Sequence, residues 1–95
     1  MIILSEWKKA QNSNGEITHW VRRRFDGEKY SGLFCAVKIH PIIQWITFFY
    51  DEKHGRFSGG WYGPVETVEE AKRLSDAQAL EYGYKLLNSK LSNLL

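Results

Sequence analysis

Cysteine is almost missing from this chain. Cys35 stands alone, so no intramolecular disulfide is possible, and a reducing cytoplasm is the expected setting. A long hydrophobic run is missing too. The longest apolar stretch, Ile42 to Tyr50, is interrupted at Gln44 and is too short to cross a bilayer. The opening MIILSEWKK lacks a basic n-region, so it does not read as a secretory signal, and no membrane partner is expected. Strong charge of one sign is lacking as well: 13 basic against 11 acidic residues leave a formal net charge of +2. Such a balance excludes a polyanion binder that works through its whole surface, and any electrostatic argument must be local. Three histidines, His19, His40 and His54, fall without metal-ligand spacing, and one cysteine cannot complete a zinc site. No metal, no cofactor and no enzymatic activity are expected.

Aromatic residues are abundant, at 15% of the chain with four Trp, five Tyr and five Phe. They favour strands and interfaces, which points the first two thirds toward sheet. Around Trp7, Ile2 to Gln11 reads as a strand, and Asn14-Gly15 supplies the turn residues after it. Ile17 to Phe25 is the next strand. Alternation puts Trp20, Arg22 and Arg24 on one face and His19, Val21, Arg23 and Phe25 on the other. After an Asp26-Gly27 turn come Tyr30 to His40 and then Ile42 to Asp51, the latter apolar on both faces. A last strand, Arg56 to Tyr62, leads to the break at Gly63-Pro64.

The helix start is written in TVEEAK. Thr67 can cap the free amides of the first turn, and Glu70 can reach back to the Thr67 amide. The apolar spacing continues from there toward Leu95 in two stripes. Val68, Ala71, Leu74, Gln78, Ala79, Tyr82 and Leu86 form one; Ala77, Leu80, Tyr84, Leu87, Leu91 and Leu94 form the other. The predicted fold is a single α+β domain over residues 1–95. Residues 1–63 make an antiparallel β-meander of four to five strands, and 67–95 make one long C-terminal helix packed on one face. Unbroken, that helix would be roughly 40 Å long, about twice a typical strand. Gly83 offers the kink point: either the end overhangs the sheet, or the chain bends there and adds a second, shorter helix.

GGWYG, then Pro64, then T-x-E-E-A-K resembles a class of small phage and prophage proteins with a Trp-rich meander followed by a single helix. The resemblance spans residues 44–80. It implies a mobile-element setting inside a host cell and a host-takeover or anti-defence role, and it brings no catalytic residue.

Catalytic constellations are wanting. Asp51, Glu52 and His54 cluster in DEKHG, but a hairpin turn uses the same residue types. Cys35 lies in the apolar run LFCAVKI, where a thiol behaves as a small hydrophobe. GGWYG lacks the P-loop lysine and precedes Glu66 and Glu69, which would repel a phosphate. Two surfaces remain. The second helix stripe, with Leu80, Tyr84, Leu87, Leu91 and Leu94 as candidate interface residues, exceeds what one small sheet needs and suggests a homodimer or docking on a larger host protein. The alternative is that the chain bends at Gly83 and its second half folds back on the uncovered sheet face, closing a monomer. The Trp20, Arg22 and Arg24 face is the candidate nucleic-acid platform, through stacking plus phosphate contact. The leading expectation is therefore a non-enzymatic protein-interaction module of phage type that modulates a host complex, and the second is a nucleic-acid-binding protein.

Overall fold

The computed structural model describes residues 1–26 and 32–88. The strands are β1 (Ile3–Leu4), β2 (Lys8–Gln11), β3 (Ile17–Arg23), β4 (Leu33–Lys38), β5 (Ile43–Thr47), β6 (Phe49–Asp51), β7 (Arg56–Ser58) and β8 (Tyr62–Val65). They are followed by the helix α1 (Val68–Glu81) and a short strand β9 (Lys85–Leu86). The turns after β2 and β6 fall at Gly15 and Gly55, both at positive φ, while Gly27 of the expected Asp26-Gly27 turn lies outside the described residues. The fold is α+β, a five-stranded antiparallel sheet ordered β2-β3-β4-β5-β8 with α1 packed against it. The run Ile42 to Asp51 is not one strand as its composition suggests. It divides at Phe48, so that β5 stays in the main sheet while β6 pairs with β7 as a separate hairpin. Likewise, Gly63 and Pro64 do not end the sheet but lie within β8. That strand is at the sheet edge, where proline's missing amide is tolerated. Gly63, at φ 124°, comes so close to β5 that a Cβ would lie 2.9 Å from the Ile43 carbonyl oxygen.

Helix α1 begins as its sequence dictates. Thr67 has extended backbone angles, and its hydroxyl accepts the Glu70 amide at 3.1 Å. The reciprocal half of the capping box does not form, because the Glu70 carboxylate instead pairs with Arg73 at 2.6 Å one turn on.

The helix ends at Glu81, and this corrects the expected continuous helix to Leu95. Gly83 takes φ 85°, its amide donates to the Leu80 carbonyl, and the Tyr84 amide donates to the Ala79 carbonyl at 3.0 Å. Those two bonds form a Schellman motif, which satisfies the last carbonyls and turns the chain. Gly83 is therefore a stop rather than a kink, and among the described residues beyond it, up to Asn88, Lys85 and Leu86 form a strand. β9 pairs in parallel with β1, Ile3 opposite Lys85 and Leu4 opposite Leu86. β1 in turn bonds toward the end of β3, with the Phe25 amide donating to the Ile3 carbonyl at 2.7 Å. The chain thus bends back along the edge of β1, whereas the alternative of closure expected the second half on the uncovered face of the sheet.

A bulge in β4 completes the core. Arg22 opposes Cys35 and Arg23 opposes Leu33, leaving Phe34 as the extra residue. A bulge re-aims a side chain, and Phe34 meets Tyr84 edge-on at 5.4 Å and Phe57 at 5.2 Å. Around it gather Ile2, Leu4, Ala79 and Leu86, all buried.

Candidate functional site

Register decides which surfaces are open. Trp20 opposes Val37, which opposes Trp45, and Arg22 opposes Cys35, which opposes Thr47, so these residues share one face of the sheet. The helix lies on that face: the Ser75 hydroxyl meets Thr47 Oγ1 at 2.7 Å, Asp76 meets Arg22, and the Lys72 ammonium sits 3.7 Å from the centre of the Trp20 ring.

The candidate platform of Trp20, Arg22 and Arg24 is corrected accordingly. Trp20 and Arg22 do share a face, but it is the covered one, and Arg24 lies beyond the end of β3. Arg22 is fully buried. Its Nε donates to Asp76 Oδ1 at 2.9 Å and its Nη2 to Asp76 Oδ2 at 3.1 Å. Its Nη1 donates to the Ser5 and Leu87 carbonyls at 2.7 and 2.6 Å. Trp7 adds an indole bond to Asp76 Oδ1 at 3.1 Å and places its ring 5.0 Å from the Arg22 guanidinium. One guanidinium therefore ties together the N-terminal strand, β3, the helix and the C-terminal strand. Arg24 pairs with Asp26 at 2.6 Å and is mostly covered.

The candidate helix stripe is also redistributed. Leu80 packs against the core while half-buried. Tyr84 is 6% exposed; its hydroxyl donates to the Phe48 carbonyl at 2.8 Å and accepts the Tyr50 amide at 2.9 Å, which removes it from any interface. Leu87 is half-buried, and its amide donates to the Leu4 carbonyl. Leu91 and Leu94 lie outside the described residues.

Exposed aromatic surface appears elsewhere, at the C-terminal end of the helix. Phe49 is 46% exposed and meets Tyr82 edge-on at 5.4 Å, and Tyr82 meets Tyr84 at 5.9 Å. Tyr62, 51% exposed, stacks on Trp45 at 4.7 Å. Phe49, Tyr50, Tyr82 and Tyr84 line an open cleft of about 310 Å³ whose remaining polar side chains are Asp51 and Glu52. Asp51 is engaged in its own turn, accepting the Lys53 and His54 amides and meeting His54 Nδ1 at 2.6 Å. Glu52 is exposed. Burial raises the Tyr82 hydroxyl above its ordinary range, with Tyr62 and Glu81 adding to the effect. Burial likewise raises Tyr84, partly offset by the bond from the Tyr50 amide.

Such a cleft can receive a cation, because ring faces and carboxylates both attract positive charge. Sequence reasoning misses it because Phe49 and Tyr82 lie far apart in the chain and sit at the ends of different elements. A weak signal is present in Phe48-Phe49-Tyr50, whose alternation cannot bury every ring.

Cys35 is fully buried, and burial pushes its thiol up to about 11, the opposite of what a nucleophile needs. Among the described residues there is no cluster of three or more metal-ligating side chains, and no helix is long and apolar enough to cross a membrane. Comparisons of the chain with family models, with curated proteins and with solved structures give no match.

Proposed function

We propose that the protein is a non-enzymatic interaction module that docks on a partner protein through the aromatic cleft beside Phe49 and Tyr82, and that the cleft takes a lysine or arginine side chain of that partner. The observation that carries this reading is the pairing of half-exposed rings with carboxylates in one open cleft, with no basic side chain among its lining residues. Buried aromatic anchors dominate protein interfaces, and truncating one typically costs about 2 kcal/mol or more. A desolvated cation over an aromatic face contributes about 2 kcal/mol. In the setting that the phage-like resemblance implies, the partner is a component of a host complex that this chain modulates. The interface thus moves from Leu80 and Leu87, which pack within the fold, to the rings beside them.

The test is capture with cross-linking mass spectrometry from a host extract, using the wild type, Phe49→Ala and Glu52→Lys. Both substituted positions are exposed, so circular dichroism should show unchanged folding. The expected result is one protein held by the wild type, cross-linked beside the cleft through a segment containing lysine or arginine, and lost with both variants. Capture that survives both substitutions, or cross-links placed elsewhere, overturns the reading. Light scattering supplies the other outcome: a dimer that dissociates on Phe49→Ala would make the occupant a second copy and the host partner wrong.

A further inference from the structure

The net charge of +2 conceals a segregation. The five strands of the main sheet contain Lys8, Lys9, Arg22, Arg23 and Lys38 and no carboxylate at all. The helix that covers one face carries Glu69, Glu70, Asp76 and Glu81. Charge on the helix side is therefore mixed and largely paired: Arg22 with Asp76, Lys72 with Glu69, Arg73 with Glu70. Among the described residues no helix lies over the opposite face, and the register places there Lys8 beside Val21, and His19 beside Lys38 and Gln44. Arg23, one residue beyond the buried Arg22, points the same way as Val21 and is exposed.

This face also carries a large ring. Trp61, just before β8, reaches across β5, and its ring centre lies 4.8 Å from the Lys38 ammonium. The indole is 42% exposed. Lys38 thus sits over the Trp61 ring while much of the indole stays exposed. Gly59 lets the loop before Trp61 lie close over β5, since a Cβ there would come within 3.2 Å of the Thr47 carbonyl oxygen.

From this arrangement we infer that the sheet face opposite the helix, at the rim of the Gly59–Trp61 loop, binds single-stranded nucleic acid, with Trp61 as the stacking ring and Lys8, Arg23 and Lys38 as phosphate contacts. Lysines and arginines on strands without carboxylates attract the phosphate chain, and an exposed indole beside them offers a stack to any unpaired base. A paired base offers no free face to that ring, so duplex is the poorer ligand. The site goes beyond the cleft interaction and is separate from it, lying on the other side of the sheet from the helix. It has the chemistry that Trp20 and Arg22 were expected to supply, on residues of the opposite parity.

The experiment is fluorescence anisotropy with a labelled oligothymidylate, with the same sequence in duplex form and with vesicles containing phosphatidylserine as comparisons. The wild type should bind the single strand, and affinity should fall linearly with the logarithm of salt concentration. Trp61→Ala should weaken binding by about tenfold or more, in the range of one lost base stack, and Trp61→Phe should restore most of it. Combined Arg23→Glu and Lys38→Glu should abolish binding and flatten the salt dependence, while Glu52→Lys at the cleft should leave it intact. Circular dichroism of each variant confirms folding. No binding at low salt overturns the inference, as does binding indifferent to Trp61→Ala, equal affinity for duplex, or preference for the vesicles.

Discussion

Replacing Asp76 by alanine tests the physical account of this fold most severely. The substitution removes both carboxylate oxygens from Arg22 and leaves a fully buried guanidinium bonded to the Ser5 and Leu87 carbonyls. Breaking a buried pair by deleting one partner costs about 3 to 5 kcal/mol, because the remaining charge is desolvated without compensation. Trp7 also loses this acceptor for its indole N–H, which adds roughly 1 kcal/mol. Small domains have only about 5 to 15 kcal/mol of stability in total, and each kcal/mol shifts Tm by about 4 to 8 °C at this size. Asp76→Ala should therefore lower Tm by roughly 12 °C or more, and the urea midpoint should fall in proportion. Trp7 and Trp20, both next to this network, provide the fluorescence signal.

The control is the double variant Arg22→Met with Asp76→Leu. Removing both charges together should cost far less than the single change, since apolar replacement of a buried pair is often close to neutral. If Asp76→Ala loses under about 1 kcal/mol, or if the double variant is as unstable as the sum of the singles, the Arg22–Asp76 network does not clamp the fold.

Gly83→Ala puts a Cβ on a residue at φ 85° in otherwise open space, so it should cost only the left-handed penalty of about 1 to 2 kcal/mol, visible in urea unfolding; no loss would mean that the helix does not need its stop there. Cys35 is held protonated, its thiol raised to about 11 from an ordinary 9.0. The native state therefore binds the proton that the unfolded chain releases, and stability is full below about pH 9 and declines by up to about 2 to 3 kcal/mol as pH rises toward 11. Cys35→Ala should flatten that decline, and the wild-type thiol should resist iodoacetamide until urea unfolds the chain.

Much of the fold is legible in residues whose meaning is local. Thr67 before an acidic first turn marks the helix start, and the alternation in β3 puts Trp20 with Arg22 and His19 with Val21, as the register has them. The helix end is not legible from spacing, because Tyr84 and Leu87 fit a 3.6-residue period while a positive-φ glycine outweighs it. Ser75 and Asp76 are hidden for a different reason. They are polar, and a search for apolar stripes finds Ala71 and Ala79 but not the hydroxyl and carboxylate that lie between them on the same buried surface. The aromatic cleft needs contacts between positions dozens of residues apart.

Between bulges parity belongs to the chain alone: alternation assigns strand residues to one of two faces, and only a bulge such as the one at Phe34 re-aims a side chain. Which face meets water is a different matter. That depends on the side to which α1 crosses after β8, and on Asp76 arriving where Arg22 can be neutralised. A sheet is nearly symmetric to its own backbone, so only packing of the helix distinguishes its two sides. With α1 settled over Trp20 and Arg22, the face left open is that of His19, Arg23 and Lys38.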